Sequence, residues 1–226
     1  MEDLVYLDNA ATTFPKPECV YTTMDKFTRT NGVSLGRGQH ILSAKASSIA
    51  DETRELLLQR FHSSNKQIVF TNTATEALNI ILKGINISNG VNIYISPFEH
   101  NAVTRTLHYL LQKDDFNIIE LNADKKTFTL DADKIKAQFE KNPPFAVIVS
   151  HVSNVIGSVA PIEQIFSLAK KYGAITIADM CQSAGLIDTD ISSSIYDYIV
   201  FAGHKTLYGP LGISGFISSF PQKLEP

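Results

Sequence analysis

Lys205 lies in Phe201-Ala202-Gly203-His204-Lys205-Thr206-Leu207-Tyr208-Gly209-Pro210-Leu211-Gly212, behind the apolar run Tyr198-Ile199-Val200-Phe201. A lysine delivered there by a buried strand leaves the aqueous surface for a closed site, where burial favours the neutral, nucleophilic amine. Such an amine can form a Schiff base with a carbonyl cofactor. The glycines and proline that follow suit a tight loop in which backbone approaches a ligand closely. The plainer alternative is a surface lysine in a glycine-rich turn.

Other polar residues also fall at the ends of apolar runs. Thr71-Asn72-Thr73-Ala74-Thr75-Glu76 closes one run and opens a helical stretch. It offers free backbone N–H groups, hydroxyls and the positive end of a helix dipole to a phosphate. An ordinary helix cap is the competing reading. Asp179 ends Ala174-Ile175-Thr176-Ile177-Ala178, and Gln182 follows shortly. A carboxylate at that depth needs a cationic partner, such as a protonated pyridine nitrogen, or hydrogen bonds from the next turn. His100, in Pro97-Phe98-Glu99-His100-Asn101, stands where an imidazole can stack on a flat ring, shuttle protons or cap the helix. Asn154, beside Ser153, offers an amide to a phenolic oxygen or a substrate, or else forms a turn before Gly157. Cys181 reads as small core filler rather than a reactive thiol, and Cys19 as a structural residue of an early helix.

From about residue 67, apolar runs alternate with helical stretches. Strands are expected at 67–71, 91–96, 117–121, 145–150, 174–179 and 198–201, with a strand-like stretch at 212–217. Helices are expected at 75–83, through Leu107, Leu110 and Leu111, after Asp131, and at 162–172 before Gly173. This alternation predicts an α/β domain with a mostly parallel central sheet and helices on both faces. In such a sheet, ligands bind outside the carboxyl ends of the strands, where the polar residues above fall. Residues 8–17 read as a loop, followed by a helix to Thr28, and residues 44–61 as a long amphipathic helix.

The 226 residues, 44% hydrophobic and 19% charged, suffice for one large domain with a substantial core. A formal net charge of -3 gives no electrostatic ground for nucleic acid or an anionic membrane as partner. No apolar stretch is long enough to span a bilayer, and Met1-Glu2-Asp3-Leu4 lacks the basic region of a signal segment. Cys19 and Cys181 form neither a disulfide framework nor a metal-ligand set, so the expected compartment is the reducing cytoplasm and no metal is expected.

Taken in order, these segments resemble the class V aminotransferase family of pyridoxal-phosphate (PLP) enzymes, in its cysteine desulfurase and selenocysteine lyase branch. The resemblance is carried by Tyr6-Leu7-Asp8-Asn9-Ala10-Ala11-Thr12-Thr13, Thr73-Ala74-Thr75-Glu76-Ala77-Leu78-Asn79, Glu99-His100-Asn101-Ala102 and Ser153-Asn154-Val155-Ile156-Gly157-Ser158. Asp179-Met180-Cys181-Gln182-Ser183-Ala184-Gly185 and Gly203-His204-Lys205 continue it. It implies the large domain of a fold type I PLP-dependent transferase at residues 31–220, an N-terminal arm and helix at 1–30, and a C-terminal small domain absent from this chain. It also implies roles. Lys205 is the Schiff-base lysine and proton shuttle, Asp179 pairs with the pyridinium nitrogen, and His100 stacks on the ring and assists proton transfer. Gln182 and Asn154 address the phenolic oxygen, while Ala74, Thr75 and His204 bind the phosphate.

The activity implied is removal of sulfur from L-cysteine to give L-alanine and an enzyme persulfide. Another class V reaction (aminotransferase, lyase or epimerase) and a PLP-binding remnant without turnover are the alternatives. The implied partners are an amino-acid substrate, a sulfur-acceptor protein and a second copy of the chain. There are departures from the family pattern. Ala202 stands where a Ser or Thr is usual, which removes one hydroxyl from the phosphate site. The substrate-carboxylate arginine and the catalytic cysteine belong to the region absent here, and neither Cys19 nor Cys181 matches that cysteine.

Overall fold

The structure, a computed structural model, describes residues 5–225. The stretch Met1–Leu4, read above for a signal segment, lies outside the described residues. The strands are β1 (Gln67–Thr71), β2 (Val91–Ile95), β3 (Phe116–Glu120), β4 (Pro144–Ser150), β5 (Ile175–Asp179), β6 (Tyr198–Ala202) and β7 (Ser214–Ser218). The helices are α1 (Glu18–Asn31), α2 (Ile41–Arg60), α3 (Ala74–Gly84), α4 (Asn101–Leu110), α5 (Ala132–Lys141) and α6 (Ile162–Lys170). The strands form a single sheet in the order β1-β7-β6-β5-β4-β2-β3. Neighbours from β6 through β3 run parallel, and β7 runs antiparallel to both β1 and β6.

Strand alternation builds two cores. On β4, Ala146 and Ile148 join Leu78, Ile81, Val103 and Leu107 of α3 and α4 on one face. Val147 and Val149, turned the other way, join Ile135, Phe139, Ile165 and Phe166 of α5 and α6. Because these strands are covered on both sides, their sequences read as continuous apolar runs rather than alternating ones. The expected fold class is the one observed.

Helix limits shift by a few residues from those read in the sequence. α1 continues to Asn31, α2 begins at Ile41, and α6 stops at Lys170, with Gly173 at φ +73° closing the following turn. The amphipathic helix expected at residues 44–61 buries only a narrow stripe. Ser43 and Ala46 are buried, and Leu57 and Leu58 pack on the core, while Ile41, Ile49 and Leu56 are exposed. The helix lies along the domain surface and reaches the core chiefly through its last turns.

The order of β4, β2 and β3 creates a crevice. α4, after β2, packs on one face of the sheet, and α6, after β4, packs on the other. The chain therefore diverges above the carboxyl ends of adjacent β2 and β4, which is where doubly wound sheets bind ligands.

Candidate functional site

A cleft of about 230 Å³ opens at those carboxyl ends. Its walls include every candidate residue read from the sequence: Ala74, Thr75, His100, Asn154, Asp179, Gln182, His204 and Lys205. They arrive at the carboxyl ends of β1, β2, β4, β5 and β6 or in the connections that follow, and the sheet brings them together.

The start of α3 supplies unpaired donors. The Thr73 hydroxyl accepts from Glu76 N at 3.1 Å, and Glu76 Oε2 accepts from Asn72 N at 2.8 Å, so the helix is capped reciprocally. The N–H groups of Ala74 and Thr75 have no partner among the described residues, and both residues line the cleft. These amides, at the positive end of an 11-residue helix, form a seat for an anion. Capping and anion binding are thus divided between neighbouring residues.

Asp179 ends β5 with 6% of its surface exposed, and one of its oxygens accepts from Cys181 N at 2.9 Å. It reaches the cleft wall as a carboxylate with further acceptor capacity. The Cys181 thiol beside it is buried, and burial, helped by the Asp179 charge, pushes its pKa well up. That leaves a small inert side chain, as its sequence position suggested.

His100 caps α4, with Nδ1 accepting from Ala102 N at 3.1 Å. An accepting Nδ1 puts the hydrogen of the neutral ring on Nε2, which leaves that nitrogen as a donor. Capping and a role in the cleft are therefore compatible. Asn154 sits in an exposed turn closed by Gly157, and Gln182 donates through Nε2 to Ala10 O at 2.8 Å with its second amide hydrogen still available.

Lys205 stands just beyond β6 and is half-buried, less enclosed than its sequence setting implies. Its loop is tight. Gly209 N donates to Gly203 O at 2.7 Å, and a Cβ on Gly203 would meet Ile213 O at 2.8 Å, so only glycine fits there. Burial, then the charges of Lys205 and Lys16, hold the His204 imidazole below its ordinary pKa.

The N-terminal arm braces this loop, a role not read from the sequence. Thr13 Oγ1 donates to Lys205 O at 2.7 Å, and Thr12 Oγ1 and Lys16 Nζ each donate to His204 O at 3.0 Å. Thr12 Oγ1 also lies 3.0 Å from His204 Nδ1. The available signal was the pair of adjacent threonines in a stretch otherwise read as loop. Glu99 was missed as well; its carboxyl sits behind the cleft on Ser96 and Ser150. The signal there was an acidic residue immediately before the candidate histidine.

Among the described residues, no cluster of three or more His, Cys, Asp or Glu could hold a metal ion. No described helix is long and apolar enough to cross a membrane.

Comparison with known proteins gives this geometry a family. The chain is 33% identical to a probable cysteine desulfurase of Halalkalibacterium halodurans, over 99% of this chain and 55% of that protein. It is 30% identical to the cysteine desulfurase IscS of Dictyoglomus turgidum, over 100% of this chain and 57% of that protein. The apo structure of a cysteine desulfurase from Thermococcus onnurineus superposes with a TM-score of 0.91 at 28% identity, covering 100% of this chain and 56% of that one. SspA in complex with cysteine superposes with a TM-score of 0.85 at 26% identity, over 99% and 64%. The chain thus spans about half the length of the curated relatives it matches. The sequence model of aminotransferase class-V matches residues 5–220, so the chain belongs to that family, among relatives named as cysteine desulfurases.

Proposed function

We propose that this chain is the cofactor-holding part of a PLP-dependent cysteine desulfurase, acting on L-cysteine to give L-alanine and an enzyme-bound persulfide. One observation carries the reading. A single cleft joins unpaired amides at the start of α3, the Asp179 carboxylate and the Lys205 amine. PLP has a phosphate, a basic ring nitrogen and an aldehyde, and these three groups answer that set. The residues present fit the cofactor. When bound, PLP supplies an electron-poor ring that draws electrons from the substrate α-carbon.

The chain's own residues do the rest. Ala74 and Thr75 hold the phosphate by their N–H groups and the α3 dipole, with His204 beside them. Asp179, close to fully buried, keeps a proton on the ring nitrogen, since in low dielectric its charge stabilises the adjacent cation. His100, on the cleft wall, would stack on the ring and assist proton transfer, with Nε2–H free to donate. Gln182, through its free amide hydrogen, and Asn154 address the phenolic oxygen. Lys205 is the covalent anchor and carries the proton to and from the substrate α-carbon.

In the net reaction, cysteine and an enzyme thiol give alanine and a persulfide: a C–S bond breaks, an S–S bond forms, and Cβ gains hydrogen. The reading assigns that thiol to neither Cys181, which is buried, nor Cys19, exposed on α1. It includes a homodimer and a sulfur-acceptor protein as partners. Exposed Tyr21, Met24, Ile49 and Leu56 on α1 and α2 support a further contact surface. Free cysteines support the reducing cytoplasm as its compartment.

The test is spectroscopic first. Added PLP gives a visible absorbance band in the wild-type chain that Lys205→Ala lacks; no band in the wild type would refute the cofactor assignment. Full-length protein given L-cysteine and a reductant then yields equal alanine and sulfide. Alanine without persulfide or sulfide would refute the desulfurase reading.

A further inference from the structure

Glu99 occupies the crevice between β2 and β4 and has no part in the mechanism above. Its Oε1 accepts the Ser150 N–H at 2.6 Å and the Ser96 hydroxyl at 2.5 Å. Ser96 Oγ donates that hydrogen to Glu99 while accepting from Phe98 N at 3.3 Å. Oε2 lies 2.9 Å from Ser150 Oγ, a hydroxyl able to give or take the hydrogen. Glu99 keeps some exposure as a residue, but its carboxyl faces inward, since Ser96 and Ser150 are only 1% and 7% exposed.

The neighbourhood disfavours a second negative charge. Ser150 is the register partner of Asp179, and His151 N donates to Asp179 O at 2.9 Å, so Glu99, bonded to Ser150 at the end of β4, lies close to the carboxyl that ends β5. Asp179 is the charged group acting on Glu99, while the serines answer it from β2 and β4. His100, Cys181, His204 and Lys205 are the other titratable side chains of the cleft wall. Burial, followed by the Asp179 charge and against the serine hydrogen bonds, pushes the Glu99 carboxyl up to about 8. Like charges in one crevice are relieved when one carboxyl keeps its proton.

We propose that Glu99 is a positioning residue that stays a neutral carboxylic acid, clamping the ends of β2 and β4 so that His100 faces the cleft and Asp179 keeps the charge beneath the ligand. Its bearing on the ligand rests on the PLP reading; its protonation does not. Oε1 takes two donors, and a hydrogen on Oε2 reaches Ser150 Oγ, so the neutral acid satisfies every contact. Glutamine reproduces this pattern atom for atom, with its amide nitrogen in place of Oε2–H. Alanine leaves the buried Ser150 N–H without an acceptor.

The test combines infrared spectroscopy of the ligand-free chain with PLP titration. At pH 7 the wild type shows a protonated-carboxyl C=O stretch that Glu99→Gln lacks, and the signal fades as pH rises through about 8. Glu99→Gln binds PLP within about two-fold of wild type with the same visible circular dichroism, whereas Glu99→Ala binds about ten-fold more weakly with altered dichroism. Absence of the carboxyl signal at pH 7 overturns the proposal. So does a roughly ten-fold loss of affinity in Glu99→Gln, or Glu99→Ala indistinguishable from wild type. A wild-type chain with no PLP band defeats the cofactor reading instead, and the infrared arm still decides whether Glu99 is neutral.

Discussion

The arm that braces Lys205 can be undone without touching the core. No side chain from residue 5 to residue 17 is buried, so burial adds little to its docking. Its hold is a set of hydrogen bonds: Thr13 Oγ1 to Lys205 O at 2.7 Å, Thr12 Oγ1 to His204 O at 3.0 Å, Lys16 Nζ to His204 O at 3.0 Å and Gln182 Nε2 to Ala10 O at 2.8 Å. Valine for threonine keeps the shape and deletes the hydroxyl. Thr13→Val costs about 1 kcal/mol, because Lys205 O keeps its bond from Tyr208 N at 2.9 Å. Thr12→Val costs about 1–2 kcal/mol, since it also strips a partner from His204 Nδ1. The two share one loop, so their sum is an upper value of about 3 kcal/mol. At 1.4 kcal/mol per decade, the docking equilibrium shifts by roughly 30- to 100-fold in the double variant. The Thr13 amide, bonded to His204 O at 3.3 Å, reports this directly by hydrogen exchange. Its exchange quickens by about that factor, PLP affinity falls about ten-fold, and the thermal midpoint drops by no more than about 2–4 °C per kcal/mol lost. Unchanged protection of Thr13, or a collapse of the midpoint, would show that the arm is not held in this way.

Ala202→Ser restores a hydroxyl to the cleft wall, and a hydrogen bond to a charged phosphate strengthens PLP binding by about ten-fold, measured by absorbance titration; an equal or weaker affinity shows that the hydroxyl does not reach. Thr73→Ala removes the acceptor for Glu76 N and lowers stability by about 1 kcal/mol in denaturant unfolding, and a midpoint unchanged from wild type would count against the cap. Cys19 reacts with a thiol reagent in the native chain, whereas Cys181, buried with its pKa raised, reacts only on unfolding; rapid native labelling of both would contradict that placement. Between the ordinary carboxyl value of 4.5 and about 8, Glu99 holds a proton in the folded chain that the unfolded chain has released. Stability therefore falls as pH rises across that window, by at most about 1.4 kcal/mol per pH unit from this group, and Glu99→Gln flattens the slope. An identical pH profile in the variant would remove Glu99 as the cause.

The sheet was legible because its strands are short apolar runs separated by helical stretches of ordinary length, and both signals are local. Partner choice was not. Nothing in Ser214–Ser218 announces that β7 runs antiparallel between β1 and β6. α2 reads as amphipathic from its own residues, yet the width of its buried stripe depends on what lies beneath it, and it meets the core mainly near Leu57, Leu58 and Phe61.

The same division runs through the cleft. Asp179, His100, Thr75 and Lys205 were legible because each breaks the pattern of the element it ends: a charge after an apolar strand, an imidazole or hydroxyl at a helix start. Thr12, Thr13 and Glu99 break no pattern. A threonine in a loop and a glutamate before a helix are ordinary residues, and their partners lie far along the chain, at His204, Lys205 and Ser150. Residues facing the proposed ligand must oppose their local context, since they present polar groups where the fold supplies apolar ones. Residues that hold them need only a hydrogen-bond partner, which any loop can offer. Sequence therefore reveals the wall of such a site before its bracing, and variants of the bracing are where the structure adds most.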